Sequence, residues 1–267
     1  MTMDPVCRVV IAVAKEKILP RFNNLREQDI MAKSPGDMVS IADIEAEAAL
    51  TAELKRLFPE AMIAGEESIA ERPGLLAAAI AADRAFLIDP VDGTNNFIKG
   101  DDRYALMVTE LRKAEAVAGW IYLPAYDRII MAEKGAGTFL DGKRIRISER
   151  KFDPGRMIAA AHINRFPKDL RKAARQNLKD FRENNPAFCA GYDYMALSIQ
   201  EKDFSLYYRT LPWDHLPGSL IYGEAGGYVR TLSDEQYGIH HLDKGLLSAP
   251  DPDQWQRIRE MIFPGLF

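Results

Sequence analysis

Cysteine is nearly missing from this chain: Cys7 and Cys189 are the only two among 267 residues. Two distant thiols supply neither a disulfide framework nor the paired spacing of a zinc site, so a reducing cytoplasm is the expected setting. Long apolar runs are missing as well, and nothing approaches a membrane span. A secretory leader needs a basic start and an unbroken apolar core; here Asp4 precedes the first apolar residues, and Arg8, Lys15 and Lys17 fall within or after them. There is no excess of positive charge. The 35 basic and 39 acidic residues leave a formal charge of −4, which gives no bulk pull toward nucleic acid. No linker, repeat or low-complexity segment breaks the chain, whose length suits one large domain or two fused subdomains around a substantial core.

What is present is a mixed pattern of helical and strand periods. Val6, Val9, Val10, Val13, Ala14, Lys17 and Ile18 recur with helical spacing up to Pro20, and Ile44 to Phe58 repeats that spacing, which predicts two helices that pack together. Alternating segments predict strands over Tyr104–Leu111, Val117–Tyr122, Arg128–Glu133, Thr138–Leu140 and Lys143–Ile147, an antiparallel meander. The second half predicts a buried strand over Met157–Ile163, a helix over Pro167–Glu183, strands over Asp203–Tyr208 and Gly227–Arg230, and a terminal helix over Asp251–Ile262. A boundary near Arg150 would divide an α+β part, 1–150, carrying most of the candidate ligands, from an α/β part, 151–267.

The most informative stretch is Leu87, Ile88, Asp89, Pro90, Val91, Asp92, Gly93, Thr94, Asn95, Asn96, Phe97, an apolar strand that ends in two carboxylates held in a turn by Pro90 and Gly93. Asp89 and Asp92 can converge there on a hard cation. Ala61 to Gly65 repeats the logic, a short apolar strand breaking at Gly65 with Glu66 and Glu67 at its end. Far downstream, Pro212, Trp213 and Asp214 precede a segment, 215–225, that reads as a helix with Asp214 at its N-cap, a position that favours a carboxylate with or without a metal. Asp43 has the same double reading, as a cap of the helix from Ile44. Oxygen-only donors without convergent Cys and His point to Mg²⁺ and thence to phosphate chemistry, where paired ions about 3.5–4 Å apart clamp an in-line displacement. Gly93 would help cradle a phosphate, and the Thr94 hydroxyl would orient a water.

With these residues the chain resembles the inositol monophosphatase family of Mg²⁺-dependent, lithium-sensitive phosphomonoesterases. Its Gly-Glu-Glu, Asp-Pro-hydrophobic-Asp-Gly-Thr-x-x-Phe and Trp-Asp blocks occur here in order, and Lys33 to Asp43 is similar to its Lys…Asp-x-Val-Thr-x-x-Asp segment, with Ser40 where Thr is usual. The resemblance implies a layered α-β-α-β-α sandwich, a homodimer and two or three Mg²⁺ per site. It implies that Glu66, Asp89 and the Val91 carbonyl hold one ion and that Asp89, Asp92 and Asp214 hold another. Thr94 paired with Asp43, together with Glu66, would ready the water. The expected substrate is a small phosphorylated polyol or sugar, touched by Asp92, Gly93, Thr94, Gly191, Tyr192, Asp193, Arg209 and Asp214.

The chain departs from the family pattern where the substrate is read. Gly191 is followed by the bulky Tyr192, Asp193 and Tyr194, and Arg209 stands near a position where an acid is usual. An inward Arg209 would favour a second anionic group; an outward one would say nothing. Sugar bisphosphates, histidinol phosphate and nucleotide 3′-phosphates therefore stay open as substrates. His162, His215, His240 and His241 read as packing or surface residues. Arg171, Arg175, Lys179 and Arg182 would form a basic stripe along the predicted 167–183 helix, with Lys168 and Lys172 adding charge. That stripe carries the reading from another class, a regulatory or binding protein on a phosphatase scaffold.

Overall fold

A computed structural model of the chain describes residues 4–34 and 37–266; Pro35 and Gly36 of the Lys33–Asp43 block lie outside them. The helices are α1 (Pro5–Val13), α2 (Ile41–Leu57), α3 (Glu66–Glu71), α4 (Gly74–Ala81), α5 (Thr94–Ile98), α6 (Lys168–Asn177), α7 (Ala190–Ser198), α8 (Pro212–Glu224) and α9 (Pro252–Ile262). A hairpin of β1 (Ile30–Ser34) and β2 (Asp37–Ser40) precedes α2. One seven-stranded sheet runs in spatial order through β3 (Met62–Gly65), β4 (Arg84–Asp92), β5 (Ala105–Arg112), β6 (Glu115–Leu123), β7 (Arg128–Glu133), β8 (Gly137–Leu140) and β9 (Lys143–Ile145). All its pairs are antiparallel except β3 with β4. A five-stranded sheet uses β10 (Ile158–Ala161), β11 (Glu183–Asn184), β12 (Phe204–Tyr207), β13 (Tyr228–Thr231) and β14 (Leu246–Ala249), in the order β11-β10-β12-β14-β13.

The two-residue side-chain alternation of strands decides the layering. On β5, Leu106 and Val108 face α1 and α2, whereas Ala105 and Met107 face the other way, toward residues of α7 and α8. On β12, Tyr207 faces that same middle helix layer, and Phe204 and Leu206 face α6 and α9. The layers are thus α1/α2, large sheet, α7/α8, small sheet, α6/α9, the α-β-α-β-α order that the resemblance implies. The outermost layer is fastened by Trp255, which is fully buried and donates its ring N–H to the Leu247 carbonyl at 2.9 Å. Trp255→Ala is expected to cost about 4 kcal/mol in urea unfolding through the cavity it leaves.

Several boundaries differ from the sequence expectation for identifiable reasons. The first helix gives way at Ala14 to a wider turn over Ala14–Ile18. Helix α2 begins at Ile41 instead of Ile44: Ser40 is its N-cap, and Asp43 is the third helical residue of a capping box, accepting from the Ser40 N–H. Asp214 likewise is no N-cap. Helix α8 starts at Pro212, whose fixed φ suits the first position, so Asp214 lies in the first turn and Pro217 falls inside the helix instead of at its start. The predicted 167–183 helix ends at Asn177, passes through a tight 3₁₀ turn over Leu178–Asp180 and re-emerges as β11, because Leu178 and Phe181 turn into the core. Lys179 and Arg182 consequently leave the helical face that the periodicity assigned them. Helices α3, α4, α5 and α7 and strands β1, β2 and β14 have no counterpart in the sequence reading.

Candidate active site

Strand-to-helix junctions place the functional side chains. β4 pairs regularly with β5 up to Asp89, where the ladder skips to Asp92 opposite Ala105, since Pro90 has no N–H to donate. Gly93 then adopts φ +85°, a left-handed turn open to glycine, and Thr94 opens α5. Next door, β3 runs parallel to β4 and ends at Gly65, so Glu66 opens α3 beside Asp89. A Cβ at 65 would lie 2.1 Å from the carboxyl carbon of Glu47, so a side chain there would have to displace that carboxylate. That Glu47 carboxylate accepts from the backbone N–H groups of Glu67 and Ser68 at 2.8 and 2.9 Å, capping α3 from outside.

These junctions bring Glu66, Asp89 and Asp214 together, with one carboxylate oxygen from each within 4.8 Å of the others. Asp89 is buried and its partners are half-buried. Burial raises the Asp89 pKa well above its ordinary value, and the charges of Glu66, Asp92 and Asp214 raise it further. Asp214 is raised in the same way, by burial and then by Glu66 and Asp92. Lys33 reaches Glu66 at 2.9 Å and Glu67 at 2.6 Å. Burial pushes Glu67 up to about 7 in spite of that lysine.

Asp92 stands beside this cluster but outside the converging oxygens. Its Oδ2 accepts from the Cys189 thiol at 3.0 Å and from the Gly191 N–H at 2.6 Å, and burial pushes its pKa up to about 6. Thr94 Oγ1 lies 3.0 Å from Asp43 Oδ1 and 2.9 Å from the Val91 carbonyl, so its one hydrogen is committed to an acceptor and its lone pairs stay available. Asp43 is pushed by burial up to about 6, while the bonds from Ser40 and Thr94 favour its charged form.

A cleft of about 800 Å³ opens over these groups. Of the residues expected from sequence, Glu66, Asp89, Val91, Asp92, Gly93, Thr94, Arg209 and Asp214 line it. Arg209 is exposed at its edge, and its charge favours ionised Asp214. Asp43 acts from behind Thr94. Gly191, Tyr192 and Asp193 are not among the residues that line the cleft. They belong to α7, which turns Asp193 into the interior to meet His162 and Lys202 and leaves Tyr192 against Tyr126. His162 and His215, read as packing or surface residues, both line the cleft. Burial lowers the pKa of His215 to about 3. Sequence reasoning also missed Glu47 and Cys189. Glu47 carried a signal, since it lies one helical turn after Asp43 and on the same face.

A family model described as "Inositol monophosphatase family" matches residues 3–262. The chain belongs to the inositol monophosphatase family. Among its relatives, a protein of Aquifex aeolicus named fructose-1,6-bisphosphatase/inositol-1-monophosphatase is 27% identical over 248 residues, 90% of this chain and 89% of that one. A Vibrio cholerae protein named Nus factor SuhB is 29% identical over 260 residues, 94% of this chain and 92% of its own. The fold matches the crystal structure of the extragenic suppressor protein suhB of Bartonella henselae with a TM-score of 0.83 and 24% identity, covering 98% of this chain and all of that one (100%). Among the described residues no helix is long and apolar enough to cross a membrane.

Proposed function

We propose that this member of the inositol monophosphatase family is a Mg²⁺-dependent phosphomonoesterase acting on a small phosphorylated polyol or sugar. The observation that carries the reading is the convergence of Glu66, Asp89 and Asp214 from three separate elements under an open cleft. The donor set suits a hard cation: all its atoms are carboxylate oxygens, and burial together with the neighbouring negative charges raises the pKa values of Asp89 and Asp214, a cost that a divalent ion would remove. Glu66, Asp89 and Asp214, with Asp92 and the Val91 carbonyl at the same cleft, would hold the ions. Such ions, when bound, supply neutralising charge for the phosphoryl group and make a neighbouring water more acidic.

The rest falls to the chain's own side chains. With its hydrogen directed to Asp43 or Val91, Thr94 Oγ1 accepts a hydrogen bond from a water in the cleft and aims that water's lone pair at phosphorus. Asp43, fixed by Ser40, holds the threonine in that orientation. Thr94→Ala is therefore expected to lower kcat by about 10²-fold with KM changed less than about threefold, since the lost contact orients the nucleophile and does not bind the ester. A steady-state comparison checks this, and a loss confined to KM would reassign Thr94 to binding.

The reading carries with it a homodimer, a cytoplasmic setting and a division of the chain near residue 150. Sugar bisphosphates remain within it, because Lys99, Arg165 and Arg209 line the cleft as exposed cations suited to a second anionic group. Phosphate release from a panel of sugar phosphates, with and without Mg²⁺, tests the proposal; no Mg²⁺-dependent release from any of them would sink it. The reading as a binding protein draws on the exposed Arg165, Lys168, Lys172, Arg175, Lys179 and Arg182 and on the Nus factor name of the V. cholerae relative. The same assay separates the two.

A further inference from the structure

One wall of the cleft is built from stacked rings. His162 lies 4.7 Å from the ring of Tyr207, inclined at 22°, and Tyr207 in turn lies 4.4 Å from His215. His162 is fixed from behind, its Nε2 2.6 Å from Asp193 Oδ2. Asp193 is fully buried; the largely buried Lys202 donates to Oδ1, and the Ala187 N–H reaches both oxygens at 3.2 Å. Every other neighbour of this carboxylate is a donor, so it acts as an acceptor throughout, and Nε2 carries the hydrogen in the His162 bond. In a neutral ring the lone pair is then left on Nδ1.

Nδ1 has no hydrogen-bond partner among the described residues, although its ring lines the cleft. The Tyr207 hydroxyl, on the adjacent stacked ring, is buried and has no partner either. Buried polar atoms are almost always bonded. The Tyr207 hydroxyl is such an atom, and on the same wall of the cleft the half-buried His162 ring offers its Nδ1 to a ligand that can bond both.

We propose that His162 reads the leaving group of the phosphate ester, its Nδ1 accepting a hydrogen bond from a leaving-group hydroxyl while the Tyr207 hydroxyl provides a second contact. Asp193 and Lys202 are positioning residues that fix the ring and its tautomer. The proposal rests on the phosphatase reading and narrows it to esters of hydroxyl-bearing leaving groups. An acceptor nitrogen repels a second phosphate, which would have to find the cations Arg165 and Arg209 instead. The proposal adds a residue 31 positions upstream of Asp193 to residues 191–193 and Arg209, where the sequence put discrimination.

The test compares kcat/KM for inositol 1-phosphate and for p-nitrophenyl phosphate, whose leaving group carries no further hydroxyl, both with Mg²⁺. His162→Phe keeps a stacked ring but removes both nitrogens. It is expected to lower kcat/KM for inositol 1-phosphate about tenfold, mainly through KM, and to change p-nitrophenyl phosphate less than about twofold. His162→Gln, which restores an acceptor, should recover most of the selectivity. Should His162→Phe fail to fold, Tyr207→Phe carries the comparison with the same selective loss expected. Equal losses on both esters, no loss on either, or a His162→Gln protein as unselective as His162→Phe would each overturn the proposal and leave the phosphatase reading standing. Wild-type protein that releases phosphate neither from these esters nor from any member of the sugar-phosphate panel overturns the phosphatase reading, and the proposal falls with it.

Discussion

Asp89→Asn is expected to lower Mg²⁺-dependent phosphate release by about a thousandfold or more while the protein stays folded. Asp89 is the most enclosed member of the cluster, and its Oδ1 accepts from the Val91 N–H at 3.1 Å. Asparagine keeps that bond and the shape of the β4 turn but removes the charge that a cation needs. Without metal the same substitution should raise the melting temperature, because it relieves the repulsion that Glu66, Asp92 and Asp214 exert on a buried carboxylate. Calorimetry beside the activity assay reads both outcomes. An unchanged turnover rate would remove Asp89 from the machinery, and a lower melting temperature would show that the carboxylates are not crowded.

Metal removal is expected to produce a second large effect, one that depends on pH. Asp43 and Asp92 are pushed from an ordinary 3.8 up to about 6, and Asp89 and Asp214 are raised with them. A carboxyl that protonates more readily in the folded chain than in the unfolded one adds stability that is complete below its ordinary pKa and is lost as pH rises through the raised value. Metal-free protein should therefore melt progressively lower as pH rises from about 4 to 7. Mg²⁺, held as proposed by the ionised carboxylates of the cluster, would offset this loss. The gap between melting temperatures with and without Mg²⁺ should widen over the same range, reaching on the order of 5 °C or more at pH 7. In Asp89→Asn it should shrink. A gap independent of pH would mean that the ion does not sit on these groups.

The layered fold was legible because its strands are long enough to show their period and its turns are marked by Pro and Gly. Arg128–Glu133 is the strand of the meander predicted residue for residue. Failures came where local pattern competes with tertiary packing. In 167–183 the basic spacing continues past Asn177, but Leu178 and Phe181 find a better place in the core than on a helix face. Capping was misread twice for one reason. A carboxylate before an apolar run suits either the N-cap or the first turn, and at Asp43 and Asp214 the preceding Ser40 and Pro212 decided the matter.

The carboxylates announced themselves through turn chemistry, since Gly65 and the Pro90–Gly93 turn have few uses other than ending a strand sharply. His162, proposed to face the leaving group, left no such trace. Asp193 reads as a polar residue after a glycine, and only the packing of α7 against the small sheet shows that it points inward to His162. Spacing along one element cannot reveal a pair formed between the residue that follows β10 and α7.

Ser40 and Asp43 give the start of α2 a second duty. The carboxylate that closes the first turn of that helix also steadies the hydroxyl proposed to aim the nucleophile, so fraying of these few residues is felt in turnover long before the global melt. Ser40→Ala would reveal this as a heat-labile catalyst inside a heat-stable protein, with activity fading at temperatures where the circular dichroism signal still holds.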